Sequence, residues 1–398
     1  MRIEIVTETF PPEINGVAMT LKRLADGMRD RGHRVGVVRP RQGKGDRGGV
    51  SDGLEHWVSR GVPIPGYAGL RFGWPAKREL RRLWAAHRPH VVHIATEGPL
   101  GWSAITAAKS LGIPVVSSYH TKFSSYSGHY NIGLARRLIA RYLRLVHNRT
   151  SATLVPSTDS LRELSDDGYR NLLLLERGVD TELFTPQRRD SRLRSEWGCG
   201  NADPVVLYVG RLAKEKNLEL LIAAYEAMKR ELPQLRLVVV GDGPERERLQ
   251  REHPQIRFPG PMLGENLARH YASADFFLFP SETETFGNVV LEALSSGLCV
   301  LAYDYAAAHR FIRSEVNGRT APLGEREAFL RAARTLAEDV SSWGQARLAA
   351  RESVLGRSWS SIVGQYETLL RRTIKKPISE PNLPDAPIDR QRVHRQGA

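Results

Sequence analysis

Short apolar runs alternate with helix-like segments along most of the chain, and this alternation constrains the fold more than any other feature. In the first half the apolar runs are Ile3–Thr7, Val35–Val38, Val91–His93, Val115–Ser118 and Thr153–Pro156. A second series follows at Val205–Val209, Leu237–Val240, Phe276–Phe279 and Cys299–Ala302. Apolar strands separated by helices are typical of parallel sheets that helices cover on both faces. The sequence therefore predicts an α/β protein with two successive doubly wound, Rossmann-like sheets.

The length of the chain and the composition of one segment predict how these sheets divide into domains. With 398 residues the chain exceeds one ordinary core, so two domains are expected. The segment Arg177–Asp190 has the Gly, Pro and charged residues of a connector. We predict a first domain over residues 1–184 and a second over 185–375, with a cleft between them. The amphipathic segment Ser358–Arg371 predicts a C-terminal helix that crosses back to the first domain, and residues 376–398 predict a disordered tail.

The chain is strongly basic. Its 58 Lys and Arg residues outnumber its 44 Asp and Glu residues, which gives a formal net charge of +14. No acidic residue occurs from Gly98 to Thr158, and the helical pattern Leu134–Val146 carries four arginines. Such a helix is typical of proteins that lie on an anionic membrane, although a solvated flank of a domain has the same pattern. A nucleic-acid partner is disfavoured because no array of aromatic residues is interleaved with the basic ones.

Several classes of protein are excluded by what the sequence lacks. No stretch approaches the roughly 18 apolar residues of a membrane span, and the first residues enter a strand rather than a signal peptide. Cys199 and Cys299 are isolated and have no metal or redox spacing. We expect a cytoplasmic protein that can associate peripherally with the inner membrane face. We expect no metal and no other cofactor.

The segment Pro280–Gly297 carries the strongest functional signal. It follows an apolar strand and opens a helix at Gly287 and Asn288. A helix start presents free N–H groups and a positive dipole end, which suit an anionic ligand. Glu284 lies just before this start and Glu292 about one turn inside it, so the ligand must offer hydroxyls to these carboxylates. A ligand that presents a diphosphate to the helix start and hydroxyls to the two carboxylates has the chemistry of a nucleotide sugar.

A second loop supplies the positive charge that a diphosphate needs. The strand Val205–Val209 runs into Gly210, where a backbone can approach a ligand closely, and then into Arg211 and Lys216. These two cations could hold a diphosphate without a metal, and the sequence contains no metal-binding motif. A pair of surface cations is the simpler alternative for this loop alone. The segment Phe258–Met262 is a candidate wall for the base pocket.

Two loops of the predicted first domain are further candidates. Thr9–Val17 joins the first strand to its helix and contains Gly16, but it lacks the G-x-G-x-x-G fingerprint of nicotinamide-cofactor enzymes. Tyr119–Phe123 follows the strand at Val115–Ser118 and contains His120. A histidine at the carboxyl end of a strand can orient a hydroxyl or a sugar, although a single histidine is more often structural.

Taken together, these motifs resemble the GT-B-fold retaining glycosyltransferases of family 4 over roughly residues 1–370. The specific motifs are Gly210-Arg211 with Lys216-Asn217, and the Glu-x7-Glu element Glu284–Glu292. Two further segments are similar to the branch that includes GDP-mannose-dependent α-mannosyltransferases and sulfoquinovosyl-diacylglycerol synthases. They are Pro63–Tyr67, followed by Arg71 and Pro75, and Tyr119–Thr121, followed by Tyr126.

The resemblance implies roles for individual residues. Arg211 and Lys216 would neutralise the donor diphosphate and stabilise the departing nucleotide, Glu284 would contact the sugar hydroxyls, and His120 would lie near the reaction centre. Glu292 would contact the ribose. The resemblance further implies donor contacts from Gly16, Gly210, Met262, Phe286, Gly287 and Asn288, and acceptor contacts from Asn15, Tyr67, Arg71, Tyr119 and Lys122. Enzymes of this type are thought to use front-face displacement, for which no protein nucleophile is needed.

The sequence departs from the family pattern at two places. Relatives often carry an acidic residue where this chain has Lys122, and many have a glycine-rich loop where it reads Tyr303–Ala308. These departures affect the acceptor and the donor-sugar preference that the resemblance implies.

The leading hypothesis is transfer of a hexose, mannose in preference, from a nucleotide sugar to a lipid or lipid-linked acceptor at the cytoplasmic membrane face. In this hypothesis the first domain binds the acceptor and the second binds the donor. A UDP-sugar-dependent glycosyltransferase of polysaccharide assembly and a nucleotide-sugar epimerase of the same fold remain alternatives.

Overall fold

The computed structural model describes residues 1–13, 15–43, 45–63, 71–120, 133–339 and 342–375, except for the side chains of 133–136. These residues form two compact units. The first contains the described parts of 1–120, 133–176 and 363–375, and the second those of 177–362. The predicted tail, residues 376–398, lies outside the described residues.

Sixteen strands occur in the described residues, and most are short and buried. Those of the first unit are β1 (Arg2–Val6), β2 (Arg34–Pro40), β3 (Gly49–Ser51), β4 (Leu54–Ser59), β5 (Gly61–Pro63), β6 (Arg71–Gly73), β7 (Val91–Ile94), β8 (Val115–Ser118), β9 (Ala152–Val155) and β10 (Leu172–Leu174). Those of the second unit are β11 (Val205–Val209), β12 (Arg236–Val240), β13 (Arg257–Gly260), β14 (Phe276–Phe279), β15 (Cys299–Tyr303) and β16 (Gly318–Ala321).

Helices separate most of these strands. In chain order they are α1 (Gly16–Asp30), α2 (Lys77–Ala86), α3 (Pro99–Ser110), α4 (Gly133–Asn148), α5 (Thr158–Asp166), α6 (Ser191–Glu196), α7 (Leu218–Glu231), α8 (Arg246–Glu252), α9 (Gly264–Ser273), α10 (Asn288–Ser295), α11 (Ala306–Phe311), α12 (Arg326–Glu338), α13 (Trp343–Glu352) and α14 (Trp359–Lys375). Short 3-10 turns occur at Pro186–Arg188 and Lys214–Lys216. Within the described ranges, no helix combines the length and the apolar character that a bilayer crossing requires.

The first unit is built on an eight-stranded sheet in the order β10-β9-β8-β7-β1-β2-β4-β3. Its strands are parallel except for β3, which pairs with β4 in the antiparallel direction. On central strand β1, Ile3 pairs with Val35 of β2 and with Val91 of β7. Strands β5 and β6 form a separate antiparallel hairpin. Residues 363–375 of α14 belong to this unit, and Tyr366 is fully buried in it.

The second unit has a six-stranded sheet in the order β13-β12-β11-β14-β15-β16, parallel throughout. Its core is rich in aromatic residues. Phe276, for example, packs edge-on against Trp343 with ring centroids 4.6 Å apart. Arg194 of α6 is buried and donates hydrogen bonds to Ser273 O (2.6 Å) and Gly200 O (2.8 Å). This arginine therefore ties α6 to the chain at Gly200 and to the end of α9 at Ser273.

Both sheets have a topological switch point, and this feature positions the candidate site. In the second unit the chain passes from β11 outward to β12 and β13 and then returns to β14 beside β11. In the first unit it passes from β1 outward to β2 and later returns to β7 beside β1. Loops that leave neighbouring strands at such a point open a crevice beyond the carboxyl ends of the strands, where open α/β sheets bind ligands.

The nine predicted apolar runs all form strands, and the predicted fold class is confirmed. The strands that the sequence interpretation missed lack such a run or are very short. β13 reads Arg-Phe-Pro-Gly and β16 reads Gly-Arg-Thr-Ala. Their backbones are extended because they pair with a neighbouring strand, which a local pattern does not reveal.

Candidate functional site

The switch point of the second unit brings together the two loops that carry the strongest sequence signals. Lys216, beyond β11, donates a hydrogen bond from Nζ to Glu284 Oε1, beyond β14. The two side chains are only 18% and 20% exposed. Ser281 Oγ donates to the same carboxylate oxygen at 2.8 Å and lies 3.4 Å from Lys216 Nζ. A cation, a hydroxyl and a carboxylate therefore form one cluster, defined here as the Lys216–Glu284 cluster.

A second contact ties the same two loops. Asn217 follows the 3-10 turn at Lys214–Lys216 and has the left-handed conformation, with φ of 53°. Asparagine tolerates this conformation better than most residues. Its Nδ2 donates to Glu282 Oε1 at 3.0 Å. The turn and this bond together determine where Lys216 points. The sequence interpretation missed the contributions of Ser281 and Glu282, which only the pairing of the loops reveals.

Gly210 and Gly241 allow the loops beyond β11 and β12 to approach each other closely. A Cβ on Gly241 would lie 1.9 Å from Gly210 O, and one on Gly210 would lie 2.8 Å from Tyr208 Oη. Tyr208 Oη donates to Arg211 O at 3.2 Å, which holds the backbone at the start of the cation loop. The Arg211 side chain is 46% exposed, and its Nη1 lies 3.5 Å from Glu215 Oε1. Glycine at these positions therefore serves close packing of backbone beneath the candidate site.

Helix α10 begins next to the Lys216–Glu284 cluster. Gly287 precedes it with φ of 91°, a conformation that favours glycine, and no side chain caps the helix. A Cβ on Gly287 would lie 3.7 Å from Glu284 Cγ, so the Glu284 side chain lies beside the helix start. The first amides of a helix have no intrahelical acceptor, and Asn288 and its successors place theirs beside the cluster. The Phe286 side chain is buried, with its ring 6.4 Å from that of Phe311, and its predicted contact with the donor stays a prediction.

The two carboxylates of the Glu-x7-Glu element are each held beside a buried tyrosine. Glu292 accepts a hydrogen bond from Tyr271 Oη at 2.9 Å. Burial raises the pKa of Tyr271 well above its ordinary value, and the charge of Glu292 raises it further. Burial likewise raises the pKa of Tyr208, with a contribution from Glu284. Both tyrosines therefore remain neutral hydrogen-bond donors: Tyr271 donates to Glu292 and Tyr208 to Arg211 O.

Met262, the predicted wall of a base pocket, lies at the outer edge of the same sheet. It lines a cavity of about 890 Å³ with Phe258, Arg257 and His270. Strand β13, which precedes Met262, is separated from β14 by β12 and β11. One strand, β12, thus separates β13 from β11, the strand that precedes Lys216, and the role of Met262 in base binding stays a prediction.

The start of α1 carries the first unit's predicted phosphate loop. Asn15 caps this helix: its Oδ1 accepts from Val17 N at 3.1 Å and Ala18 N at 2.9 Å. Asn15 Nδ2 donates to Thr9 Oγ1 at 2.6 Å. A Cβ on Gly16 would meet nothing within 4 Å, so space is open at this position. Because Asn15 already uses two of the first amides, a ligand here would gain little from the helix start itself.

Glu8, which the sequence interpretation missed, lies at the switch point of the first unit. Its carboxylate accepts hydrogen bonds from the amides of Gly73 (3.3 Å) and Leu100, and its own amide donates to Thr96 Oγ1 at 2.8 Å. Burial raises the pKa of Glu8 to about 7, and the two amide bonds oppose that rise. Glu8 therefore joins hairpin β5–β6 to the start of α3. Its only sequence signal is a carboxylate immediately beyond β1.

The remaining predicted site residues of the first unit differ in their burial and in their contacts. His120 follows β8 and is buried. Tyr119 is buried too, with its ring 5.8 Å from that of His147 and 6.3 Å from that of Tyr169. Arg71 Nη2 donates to Gly61 O at 3.0 Å across the hairpin. Tyr67 and Lys122, two of the predicted acceptor contacts, lie outside the described residues.

Comparison with known proteins identifies the class to which this fold and site belong. The model of "Glycosyltransferase Family 4" matches residues 14–183, and that of "Glycosyl transferases group 1" matches residues 203–339. The chain is 37% identical over 380 residues to a GDP-mannose-dependent alpha-mannosyltransferase of Mycobacterium tuberculosis, with 94% of this chain and 98% of that protein covered.

Two further similarities agree with this class. The chain is 31% identical over 369 residues to sulfoquinovosyl transferase SQD2 of Arabidopsis thaliana, with 90% of this chain and 71% of that protein covered. The structure of sucrose-phosphate synthase from Thermosynechococcus elongatus matches with a TM-score of 0.77 at 19% identity, covering 94% of this chain and 99% of that one, which shows a shared fold. The chain therefore belongs to the GT-B-fold glycosyltransferases of family 4, as the resemblance predicted.

Proposed function

We propose that this glycosyltransferase moves a hexose, mannose in preference, from a nucleotide sugar to a lipid or lipid-linked acceptor, with retention of the anomeric configuration. The observation that carries the donor part is the Lys216–Glu284 cluster at the switch point of the second unit. A cation and a carboxylate that touch each other match a ligand whose phosphate and hydroxyls are also adjacent. No metal is needed in this proposal because the chain itself supplies the positive charge.

The chemistry follows from where charge develops during transfer. The bond between the sugar and the diphosphate breaks, so negative charge grows on the departing phosphate oxygen. Lys216 and Arg211 stabilise that charge, and a preorganised cation in a partly buried site does so without reorganising water. Glu284 accepts hydrogen bonds from the sugar hydroxyls and so holds the sugar in position. Glu292, held by Tyr271, is placed to bind the ribose hydroxyls.

The relatives support mannose and the guanine nucleotide as the first choice. The M. tuberculosis relative is named for GDP-mannose and is matched along nearly its whole length. The Arabidopsis relative is named for transfer of sulfoquinovose, and its identity to this chain is lower. A UDP-sugar, the alternative donor that the sequence analysis leaves open, is the second choice. Binding of GDP against UDP, measured by calorimetry on the purified chain, decides between them.

The exposed surface of helix α4 supports the proposal that the acceptor lies in a membrane. Leu143 and Val146 on one face are buried. On another face Leu138, Tyr142 and Leu145 are 62%, 38% and 46% exposed, which is a large apolar stripe for one helix. Arg137, Arg141 and Arg144 run along the side of this stripe. An interfacial helix has this pattern, because apolar side chains enter the acyl region while arginines reach the anionic headgroups.

Donor binding is tested by replacing Lys216 with alanine and measuring the Kd for GDP or UDP. A charge-assisted hydrogen bond contributes about 1.5–3 kcal/mol, so we expect the Kd to rise roughly ten- to a hundredfold. Lys214→Ala is the matched control, because Lys214 belongs to the same 3-10 turn but is exposed and has no contact with Glu284 among those described. Equal effects of the two substitutions would contradict the proposed donor site.

The transfer reaction is tested by incubating the purified chain with radiolabelled GDP-mannose or a UDP-sugar and with membrane lipids. We expect label to enter the lipid fraction, and Glu284→Gln to abolish most of that transfer while the chain stays folded. The configuration of the product bond, measured by NMR, tests retention. Transfer from no donor to any lipid would contradict the proposed acceptor class.

A further inference from the structure

A basic pocket lies at the edge of the first unit's sheet where β1, β2 and β7 begin, opposite to the edge that carries Glu8 and Asn15. Its volume is about 700 Å³. We call it the amino-edge pocket. The charged or titratable side chains that line it and carry the argument are Arg2, Arg34, Arg88, His90, Arg371 and Lys375. None of the described residues that line it is acidic.

The cations of this pocket are placed where their mutual repulsion is costly. Arg2 and Arg34 are directly paired positions on parallel strands β1 and β2, and like charges at such positions destabilise a sheet. Arg371 and Lys375 lie one turn apart on α14, where like charges destabilise a helix. An anion between these groups would relieve both repulsions at once.

Carboxylates behind the pocket offset only part of this charge. Glu55 accepts hydrogen bonds from Arg2 at 2.8 Å and from Arg34 at 3.0 Å. Glu367 accepts from Arg371 at 2.8 Å but also binds Arg31 at 2.7 Å. Glu4 Oε1 lies 3.5 Å from Arg2 Nε. Among the described residues, three carboxylates thus face five lining cations and a sixth arginine outside the pocket. The region keeps a clear positive excess.

The lining also offers hydrogen-bond donors that suit a phosphate. Each arginine carries five N–H donors in a planar fork, and the hydrogen bond of Arg34 to Glu55 uses its Nη2 alone. His90 Nδ1 accepts from the amide of Arg2 at 2.9 Å, so in the neutral ring the proton is on Nε2, which is a donor. Gly32 is part of the wall, and a Cβ there would meet nothing within 4 Å.

We propose that the amino-edge pocket binds an anion with two or more negative charges on phosphate, either a free phosphate compound or the headgroup of a lipid. Arginine forks match phosphate oxygens in geometry, and several cations around one cavity favour a polyvalent anion over a single carboxylate. A volume of about 700 Å³ lies within the range of small-molecule sites. The pocket uses no residue of the candidate donor site, and the proposal does not depend on the proposed function.

Calorimetry with inorganic pyrophosphate tests the free-phosphate source on the full chain. The variant is Arg34→Ala/Arg371→Ala, both exposed side chains. The matched control is Arg47→Ala/Arg372→Ala, which removes two exposed arginines that do not line the pocket. Any binding by the loops of the second unit is common to all three proteins. We expect affinity to fall about tenfold in the pocket variant, as two partly screened charges predict, and to stay within about twofold in the control.

Sedimentation with vesicles tests the lipid source. The vesicles contain phosphatidylcholine alone or with phosphatidic acid, whose phosphate carries the charge that the pocket requires. Loss of vesicle binding without loss of pyrophosphate binding would assign the lipid headgroup, and the reverse would assign a free phosphate. Loss of both would support the shared chemistry.

Equal binding by wild type, pocket variant and control in both assays would overturn the proposal. The single substitution Lys375→Gln, at an exposed position near the end of α14, provides a second test if the double variant does not fold. We expect it to weaken pyrophosphate or vesicle binding about threefold, as loss of one exposed charge predicts. No change with Lys375→Gln would then count against the pocket in the same way.

Discussion

Glu8→Gln should change how the stability of the first unit depends on pH. Glutamine has nearly the shape of a protonated glutamate, and its amide oxygen can accept from Gly73 or Leu100 as the carboxyl does. The substitution therefore removes a titrating group from a buried position without emptying it. It tests whether this carboxyl at the carboxyl edge of β1 is as desolvated as the structure indicates.

The magnitude follows from the pKa. Burial raises the pKa of Glu8 from 4.5 to about 7, and one pKa unit corresponds to about 1.4 kcal/mol. Because the folded state holds this proton more tightly than the unfolded chain, the free energy of unfolding falls as pH rises between the two pKa values. For wild type this loss is about 3 kcal/mol by pH 8. For Glu8→Gln the contribution is absent.

The assay is urea unfolding of both proteins at a series of pH values from about 4.5 to 8. The difference in unfolding free energy, variant minus wild type, should rise by about 3 kcal/mol over this range. Burial raises the pKa of Glu4 to about 7 as well, but Glu4 is common to both proteins and cancels. Glu79→Gln, at an exposed position on α2, is the control and should give a flat difference. A flat difference for Glu8→Gln would refute the reasoning.

Three further predictions follow from single contacts. Gly98→Ala should destabilise the first unit by about 1–3 kcal/mol in thermal or urea unfolding, since its Cβ would lie 2.1 Å from the carboxylate oxygens of Glu8; full wild-type stability would contradict this contact. Leu138→Asp/Leu145→Asp should reduce sedimentation with anionic vesicles several-fold and leave the Kd for GDP or UDP unchanged, whereas unchanged sedimentation would remove α4 from the proposed membrane surface. Arg194→Ala should destabilise the second unit by roughly 3–5 kcal/mol, measured by urea unfolding, because Asp275 and several carbonyl groups would lose a buried partner.

The local pattern of the chain was sufficient to predict its architecture. A short run that is apolar at every position, such as Phe276–Phe279, is typical of a buried parallel strand. An amphipathic helix instead has apolar residues every three or four positions. The loop Pro280–Gly287 was likewise recognisable, because a glycine at a helix start and a carboxylate just before it are neighbours in sequence. The strands with polar or glycine-rich sequences, such as β16, were missed because pairing rather than pattern makes them strands.

The contacts of the candidate site were decided by the tertiary structure. Lys216 and Glu284 are 68 residues apart, and only the order of strands in the sheet brings their loops together. The sequence predicted both residues as donor contacts but not that they bind each other, nor that Ser281 binds the same carboxylate. The burial of the Phe286 side chain was likewise not predicted, because a side chain's direction depends on what surrounds it.

The sequence also did not predict which carboxyl group is buried or which distant charged residues lie together. Glu8 reads as an ordinary polar residue beside a strand, and its raised pKa exists because hairpin β5–β6 and α3 remove it from water. The amino-edge pocket gathers Arg2, Arg34, Arg88 and Arg371 from four separate parts of the chain. Sequence alone determined the apolar strands, most of the alternation with helices and the chemistry of the main loops, since these depend on neighbours along the chain. Only the fold decided which charges meet and which lose water, since both depend on neighbours in space.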